Sequence, residues 1–458
     1  MIFPRSNSRV ITLVFCSAAV AVAISSRPSP AQSPSVRPTF KEPNPPEKQL
    51  HLKELPRWLT LHMELRSRTE EQSSLGYVSG KDRLYDLTRV RGSFDISASP
   101  FMDVYAQFHD LHALGLPLRD VTSNMRDTFD LRQGYINLHY KNQAQLFTGR
   151  QLLIFGDERV VGISDWSNTS RSWDGFDLRL NYPHFRADVF STSVVAIHPT
   201  SLNTHGAGLS FHGIQTDFLK LLPHTSILPF VFFRTYPHVR SRQGVVGSET
   251  EATFGTEWNA KIPRGFETSG LVDLQRGSFS NDSIHAGAAI LRGGYTFQAP
   301  VKFRAVAEYD YSSGNSPRNP FRVSTYDQQY PGNHNAFGLV DLFGFQNIKQ
   351  NRLNLYITAH KNWDLLFQGE SLHITSLYDG VYDAAAHAIL TAPSGGFRHD
   401  GIGTGFDASL THHFTRGLEF DLGMGHFSPG YVMTSRSRGA PLTLAYGQLV
   451  YRFRVDHE

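Results

Sequence analysis

The chain has 458 residues, of which 19% are charged and 12% aromatic, with 38 glycines and a formal net charge of +3. That mixture suits many strands and turns better than helices, which favour Ala, Leu, Glu and Lys, and no nucleic-acid partner is expected of it. A mean hydropathy of −0.30 excludes a helical membrane bundle, but not a barrel whose strands are apolar on one face only.

In chain order, the first element reads as a targeting segment. Arg5 and Arg9 precede an apolar stretch from Val10 to Ile24, and Ser29-Pro30-Ala31 offers small residues for cleavage. The stretch is short for a spanning helix, which needs about 20 residues, so residues 1–31 are expected to be a signal peptide. Cys16, the one cysteine, lies inside it, and a cleaved chain would hold neither a disulfide nor a cysteine-bound metal. Residues 32–56 are dense in proline and poor in apolar side chains, the composition of an extended periplasmic leader. The folded part is expected over 57–458.

From Arg57 onward, apolar and polar residues alternate with period two. Leu59, Leu61, Met63 and Leu65 share one face, against His62, Glu64, Arg66 and Arg68. Val90 and Phe94 oppose Arg89, Arg91 and Asp95; Phe176, Leu178 and Leu180 oppose Asp177 and Arg179; Phe303, Ala305 and Tyr309 oppose Arg304, Glu308 and Asp310. Each segment is about ten residues, the length a tilted strand needs to cross a bilayer.

The connections carry a second pattern. Short ones fall at Ser99-Pro100, Lys141-Asn142-Gln143, Pro183-His184, Leu222-Pro223-His224, Pro263-Arg264-Gly265, Ala299-Pro300, Lys361-Asn362 and Arg416-Gly417. Longer polar segments separate them, near 67–83, 110–129, 151–172, 193–205, 239–248, 278–283, 313–349, 376–400 and 428–441. Eight short turns alternating with nine longer loops predict about 18 strands, both ends on one side, with tight periplasmic turns and extended outer loops. The expected fold is therefore all-β: a single-chain transmembrane antiparallel barrel in the outer membrane of a Gram-negative cell. A soluble propeller would show a blade repeat, and the sequence has none.

Ten lysines leave 34 arginines. Several fall on polar strand faces, among them Arg66, Arg89, Arg91, Arg132, Arg179 and Arg304. A lipid-facing arginine at the midplane costs roughly 2–4 kcal/mol, so these faces belong to the lumen. There the planar guanidinium suits carboxylates, whether of a passing solute or of lumen acids such as Glu64, Asp95, Asp177 and Glu308.

The most distinctive stretch contains Thr148-Gly149-Arg150-Gln151, Phe155-Gly156-Asp157-Glu158-Arg159, Trp166-Ser167-Asn168 and Trp173-Asp174-Gly175-Phe176. Later come Tyr330-Pro331-Gly332-Asn333-His334, Asp341-Leu342-Phe343-Gly344 and Gly425-His426-Phe427-Ser428-Pro429-Gly430. Together these resemble the alginate-export family of outer-membrane proteins over about 57–454. The resemblance implies an eighteen-stranded barrel, agreeing with the strand count, and a basic lumen that conducts an anionic polyuronate. It implies that Arg150 and Arg159 line or prop the pore, that Asp157 and Glu158 hold the arginines in place, and that Trp166, Asn168 and Asp174 organise an inward-folding outer loop. A monomer surrounded by membrane lipids and lipopolysaccharide is expected, and a periplasmic export scaffold is compatible with the sequence. One departure is the ending, because Arg454 to Glu458 follow Phe453, where such barrels end on an aromatic.

Other readings weigh less. His109 with His112, and His412 with His413, lack an acid or cysteine to complete a metal site, and no cofactor is expected. Gly401, Gly403 and Gly405 precede no helix, so they mark a strand bend rather than a nucleotide loop. The expected function is passive export or diffusion of an anionic polysaccharide through an arginine-bearing lumen. A general or uptake porin for small anions is the alternative. A barrel enzyme built on Asp157 and Glu158 ranks last, since Arg150 and Arg159 offer those acids partners nearby, and the chain is not expected to be an enzyme.

Overall fold

A strand that meets lipid on one side and polar groups on the other needs large apolar residues at every second position, and the chain folds accordingly. The computed structural model describes residues 47–458 except 300, 333, 335 and 361. The expected signal peptide and most of the proline-dense leader thus lie outside the described residues, as do Asn333 and one residue each of the 299–300 and 361–362 turns.

The barrel strands are β1 (Leu59–Ser73), β2 (Arg83–Ser99), β3 (Met102–Leu114), β4 (Asp127–Tyr140), β5 (Ala144–Gln151) and β6 (Trp173–Tyr182). They continue with β7 (Phe185–Ala196), β8 (Ser210–Leu222), β9 (Thr225–Arg240), β10 (Val246–Lys261), β11 (Phe266–Phe279) and β12 (Asp282–Phe297). Last come β13 (Lys302–Ser312), β14 (Ile348–His360), β15 (Trp363–Ile374), β16 (Gly401–Thr415), β17 (Leu418–Pro429) and β18 (Leu442–Asp456). Each pairs antiparallel with its chain neighbours, and β18 returns to β1, where Met63 faces Phe453 and Leu65 faces Tyr451. The sheet is a closed barrel of 18 strands, without the free edge that invites aggregation. The residues after Phe453 stay in the ladder: Arg454 and Val455 pair with His62 and Leu61, and Lys48–His51 adds a short parallel strand alongside them.

Strand lengths run from 8 residues in β5 to 17 in β2, more variable and often longer than the ten or so that alternation indicates. Ladder hydrogen bonds continue beyond the lipid band, where both faces become polar and the period-two signal fades. The segment near 278–283, expected as an outer loop, is a tight hairpin in which Ser280, at φ 55°, and Asn281 alone connect β11 to β12. The glycine run bends β16 as expected: the register against β15 slips between Gly403 and Gly401. No described helix is long and apolar enough to cross a membrane.

The two faces separate cleanly at mid-strand. Leu65, Phe94, Ile136, Phe176, Phe254 and Leu449 stand exposed on the outside, while their neighbours Arg66, Ser93, Asn137, Asp177, Thr253 and Val450 are buried. Exposed apolar side chains in this band meet lipid tails, and the polar ones are spared that cost.

The bore itself is not uniformly wet. The segments 152–172 and 313–347 turn inward at the outer end. Leu153, Phe155 and Val161 from the first, with Tyr326, Phe337, Phe343 and Phe345 from the second, pack against Trp173, Phe190, Phe211 and Phe427 on the inner wall. The Phe155 ring lies 5.2 Å from that of Phe190 and 5.6 Å from that of Phe232. The segments are also joined by backbone: Tyr330 N–H donates to Val160 O (3.0 Å), Gly162 N–H to Tyr330 O (2.7 Å) and Gly332 N–H to Glu158 O (2.8 Å). Their buried amides are thus satisfied where water is excluded.

Candidate solute path

Beneath this plug, on the side of the short turns, a cavity of about 980 Å³ remains. Strands β1–β6 and β18 wall it, and the tip of the 152–172 segment roofs it. Arg66, Arg89, Arg91, Arg179 and Arg452 contribute positive charge, and Glu64, Asp95, Asp103, Asp157, Glu158 and Asp165 contribute negative charge. Tyr105, Tyr135, Gln107 and Asn137 add neutral polar groups. The lining is mixed rather than uniformly basic.

Charge concentrates at the roof. β1 and β2 present Glu64 opposite Arg91 and Arg66 opposite Arg89. Into this group hangs Asp165. Its carboxylate accepts from Arg91 (2.8 Å) and from two nitrogens of Arg89 (3.1 and 3.3 Å), with Arg132 at 3.6 Å. Its backbone carbonyl accepts from both Arg66 and Arg89 at 3.1 Å. Glu64 closes the group from below, accepting from Arg89 (2.8 Å) and Arg452 (2.9 Å). Enclosure in the barrel pushes the Asp165 carboxyl up, but Arg89, Arg91, Arg132 and Arg66 outweigh it and hold the group well below the usual carboxylate range.

Trp166 and Asn168 hold the segment that carries Asp165. The Trp166 ring lies 3.7 Å from the Arg68 guanidinium and 3.7 Å from the His334 ring. Asn168 is wholly buried. Its Oδ1 accepts from Arg66 (2.8 Å), and its amide donates to Thr88 O (3.0 Å) and Met125 O (2.9 Å).

The other expected residues divide into three groups. Arg132 and Arg179 face inward: Arg132 donates to Gln107 and to Ser170 Oγ (3.1 Å), and Arg179 bonds Asp177 (2.7 Å) while covering the Phe147 ring at 4.2 Å. Arg159 props rather than lines. It is buried beneath Phe337 and Phe345, bonded to Glu308 and 3.2 Å from Asp310. Arg304 bonds Glu267 and does not border the described cavity.

Arg150 requires a correction. It alternates with Phe147 and Gln151, which line the cavity, and so occupies the opposite face of β5. There it pairs with Asp174 (2.8 Å) and donates to Asn203 O (3.3 Å). Asp174 belongs to β6 and not to the inward loop. Gly149 and Gly175 are register partners beside this pair, with φ of 128° and 152°. A Cβ on either would come 2.3 Å from a backbone oxygen of the next strand, so glycine is required there. The motif thus builds a close approach between neighbouring strands of the ladder.

Asp157 and Glu158 also act differently from expectation. Asp157 accepts from Arg292 (2.6 Å) and from the Arg159 amide (3.2 Å), and its own amide donates to Glu257 (3.1 Å). Glu158 adopts φ 62° and accepts from the Ile163 amide (3.2 Å). Gly162 and Gly332 flank it, and a Cβ on either would come within 2.5 Å of its Oε2. Burial raises its pKa to about 7, with Asp165 and Asp157 adding to the shift and Arg171 opposing it.

Sequence reasoning missed Asp165, Arg292 and Arg452. Alternation with Arg454 marks Arg452 as inward, and Asp165 directly precedes the Trp166-Ser167-Asn168 motif. Arg292 sits among Gly293, Gly294 and Leu291, where alternation is weak.

A sequence profile described as alginate export matches residues 57–439. A search among curated proteins finds no match. Among solved structures, Pseudomonas aeruginosa OpdQ is similar at 10% identity and a TM-score of 0.59, over 88% of this chain and 99% of that one. Acinetobacter baumannii OccAB4 is similar at 9% identity and 0.57, over 88% and 99%. Pseudomonas aeruginosa OpdK, solved with vanillate, is similar at 10% and 0.56, over 87% and 100%. At such identities these likenesses show the fold alone.

Proposed function

The chain belongs to the alginate export family, and from that membership we propose that it is an outer-membrane channel for a carboxylate-bearing polysaccharide, passing it by diffusion between weak sites. The observation that carries the reading is the guanidinium group at the cavity roof, Arg66, Arg89 and Arg91 around Asp165. Arg91, Arg179 and Arg452 already pair with Asp165, Asp177 and Glu64, so a passing carboxylate exchanges one partner for another. A polyanion can thereby move along them without being trapped, as conduction requires. The chemistry proposed is binding and passage; no bond is broken. In a planar bilayer the purified protein should give an anion-selective conductance that a polyuronate blocks. A protein that inserts as a folded barrel and conducts nothing overturns the reading.

A second reading is uptake of small anions. It is favoured by the two inward segments, whose packed aromatics narrow the outer half of the bore. Equal block by monomeric and polymeric uronates would select it over polymer export.

A further inference from the structure

The Asp165 carboxylate is placed like a bound ligand. Its two oxygens meet two nitrogens of Arg89 as a fork on a fork, at 3.3 and 3.1 Å, and Arg91 approaches one of them at 2.8 Å. The Arg89, Arg91 and Arg132 side chains are only 1%, 4% and 2% exposed, whereas that of Asp165 is 38% exposed to the cavity. The arginines are fixed wall, and the carboxylate is the accessible partner. Bidentate guanidinium pairing recognises any planar carboxylate, not the aspartate that carries it.

The segment bearing Asp165 does not depend on this carboxylate for its place. Asn168 bonds Arg66, Thr88 and Met125, and Trp166 is sandwiched between Arg68 and His334. The backbone carbonyl of Asp165 is separately held by Arg66 and Arg89. A χ rotation can therefore withdraw the side chain while its backbone stays anchored. Glu64 remains as a second carboxylate, bonded to Arg89 and Arg452 from the turn side.

We infer that Arg89, Arg91 and Arg132 form a carboxylate-binding site that the chain's own Asp165 occupies as an internal ligand, so that a solute carboxylate binds by displacing it. The choice of a uronate as ligand rests on the function proposed above; the occupancy by Asp165 does not. A tethered competitor lowers the apparent affinity by the fraction of time it fills the site, which makes each solute contact weak and short-lived.

The test uses the full chain in detergent, titrated calorimetrically with galacturonate and, as the neutral control, galactose. Asp165→Asn keeps the shape and removes the competing charge. Boiling-dependent gel mobility verifies that the variant barrel is folded. The variant should bind galacturonate at least about tenfold more tightly than the wild type, with galactose unaffected. Equal or weaker binding by a folded Asp165→Asn overturns the inference, as does absence of galacturonate binding in both proteins. Tight binding by the variant, together with no bilayer conductance from the wild type, leaves the inference standing and removes the channel reading.

Discussion

The ring of Trp166 lies flat on that of His334, with centroids 3.7 Å apart and planes 3° from parallel. This contact joins the two inward segments directly above the cavity. Stacked pairs contribute about 0.5–1.5 kcal/mol beyond their area, and the Arg68 guanidinium on the same ring adds a comparable amount. Trp166→Ala should loosen the plug by roughly 1–3 kcal/mol, raising single-channel conductance while the boiling shift of the barrel is retained. Conductance equal to wild type would show that the stack does not hold the plug.

Asn168 fastens the same segment to the wall through Arg66, Thr88 and Met125. In Asn168→Ala those buried groups lose their partner, at about 1–3 kcal/mol each. Hydrogen exchange should quicken in 164–169 and 124–126 but not in the β1–β18 ladder. Uniform exchange across the barrel would instead mean that the whole fold had been weakened.

Glu158 makes the junction of the inward segments sensitive to pH. Its pKa rises from the ordinary 4.5 to about 7 in the fold, so the folded state favours the protonated acid. The stabilisation is full below about pH 4.5 and is lost as pH climbs through about 7, with an upper size of roughly 3 kcal/mol. Protection of 152–172 against exchange should therefore fall between pH 4.5 and 7, and fall less in Glu158→Gln. A fall of the same size in the variant would assign the pH effect to another group.

Leu449 stands on the outer face in mid-strand, beside Ser67 and Phe420. Leu449→Arg should cost about 2–4 kcal/mol in lipid-embedded unfolding, and Leu449→Phe far less. Comparable costs for the two would place the residue away from lipid.

Much of this was legible in the residues themselves. The alternation of Leu65 with Arg66 and of Phe94 with Ser93 and Asp95 separated outside from inside, and the eight short turns gave the strand count. The apolar plug was not legible. Val189 and Phe190 are adjacent and both apolar, so alternation cannot say that one meets lipid and the other meets Phe155. Arg150 was assigned by its motif, although Leu146 and Thr148 at the same parity already placed it on the outer face of β5. The partners of Glu308 were also hidden. Arg292 and Arg352 are its register partners on the two neighbouring strands, 16 and 44 residues away, while Arg159 reaches it from the inward segment, 149 residues away.

The separation of faces is tested most directly by paired single cysteines in the embedded protein, with Cys16 replaced. Asp95→Cys should react with a membrane-impermeant, water-soluble thiol reagent, because position 95 lines the cavity and is only half-buried. Phe94→Cys should react only with a lipid-soluble one. Protection of position 95 from the aqueous reagent, with labelling of position 94 instead, would contradict an aqueous bore lined by the arginine-bearing face.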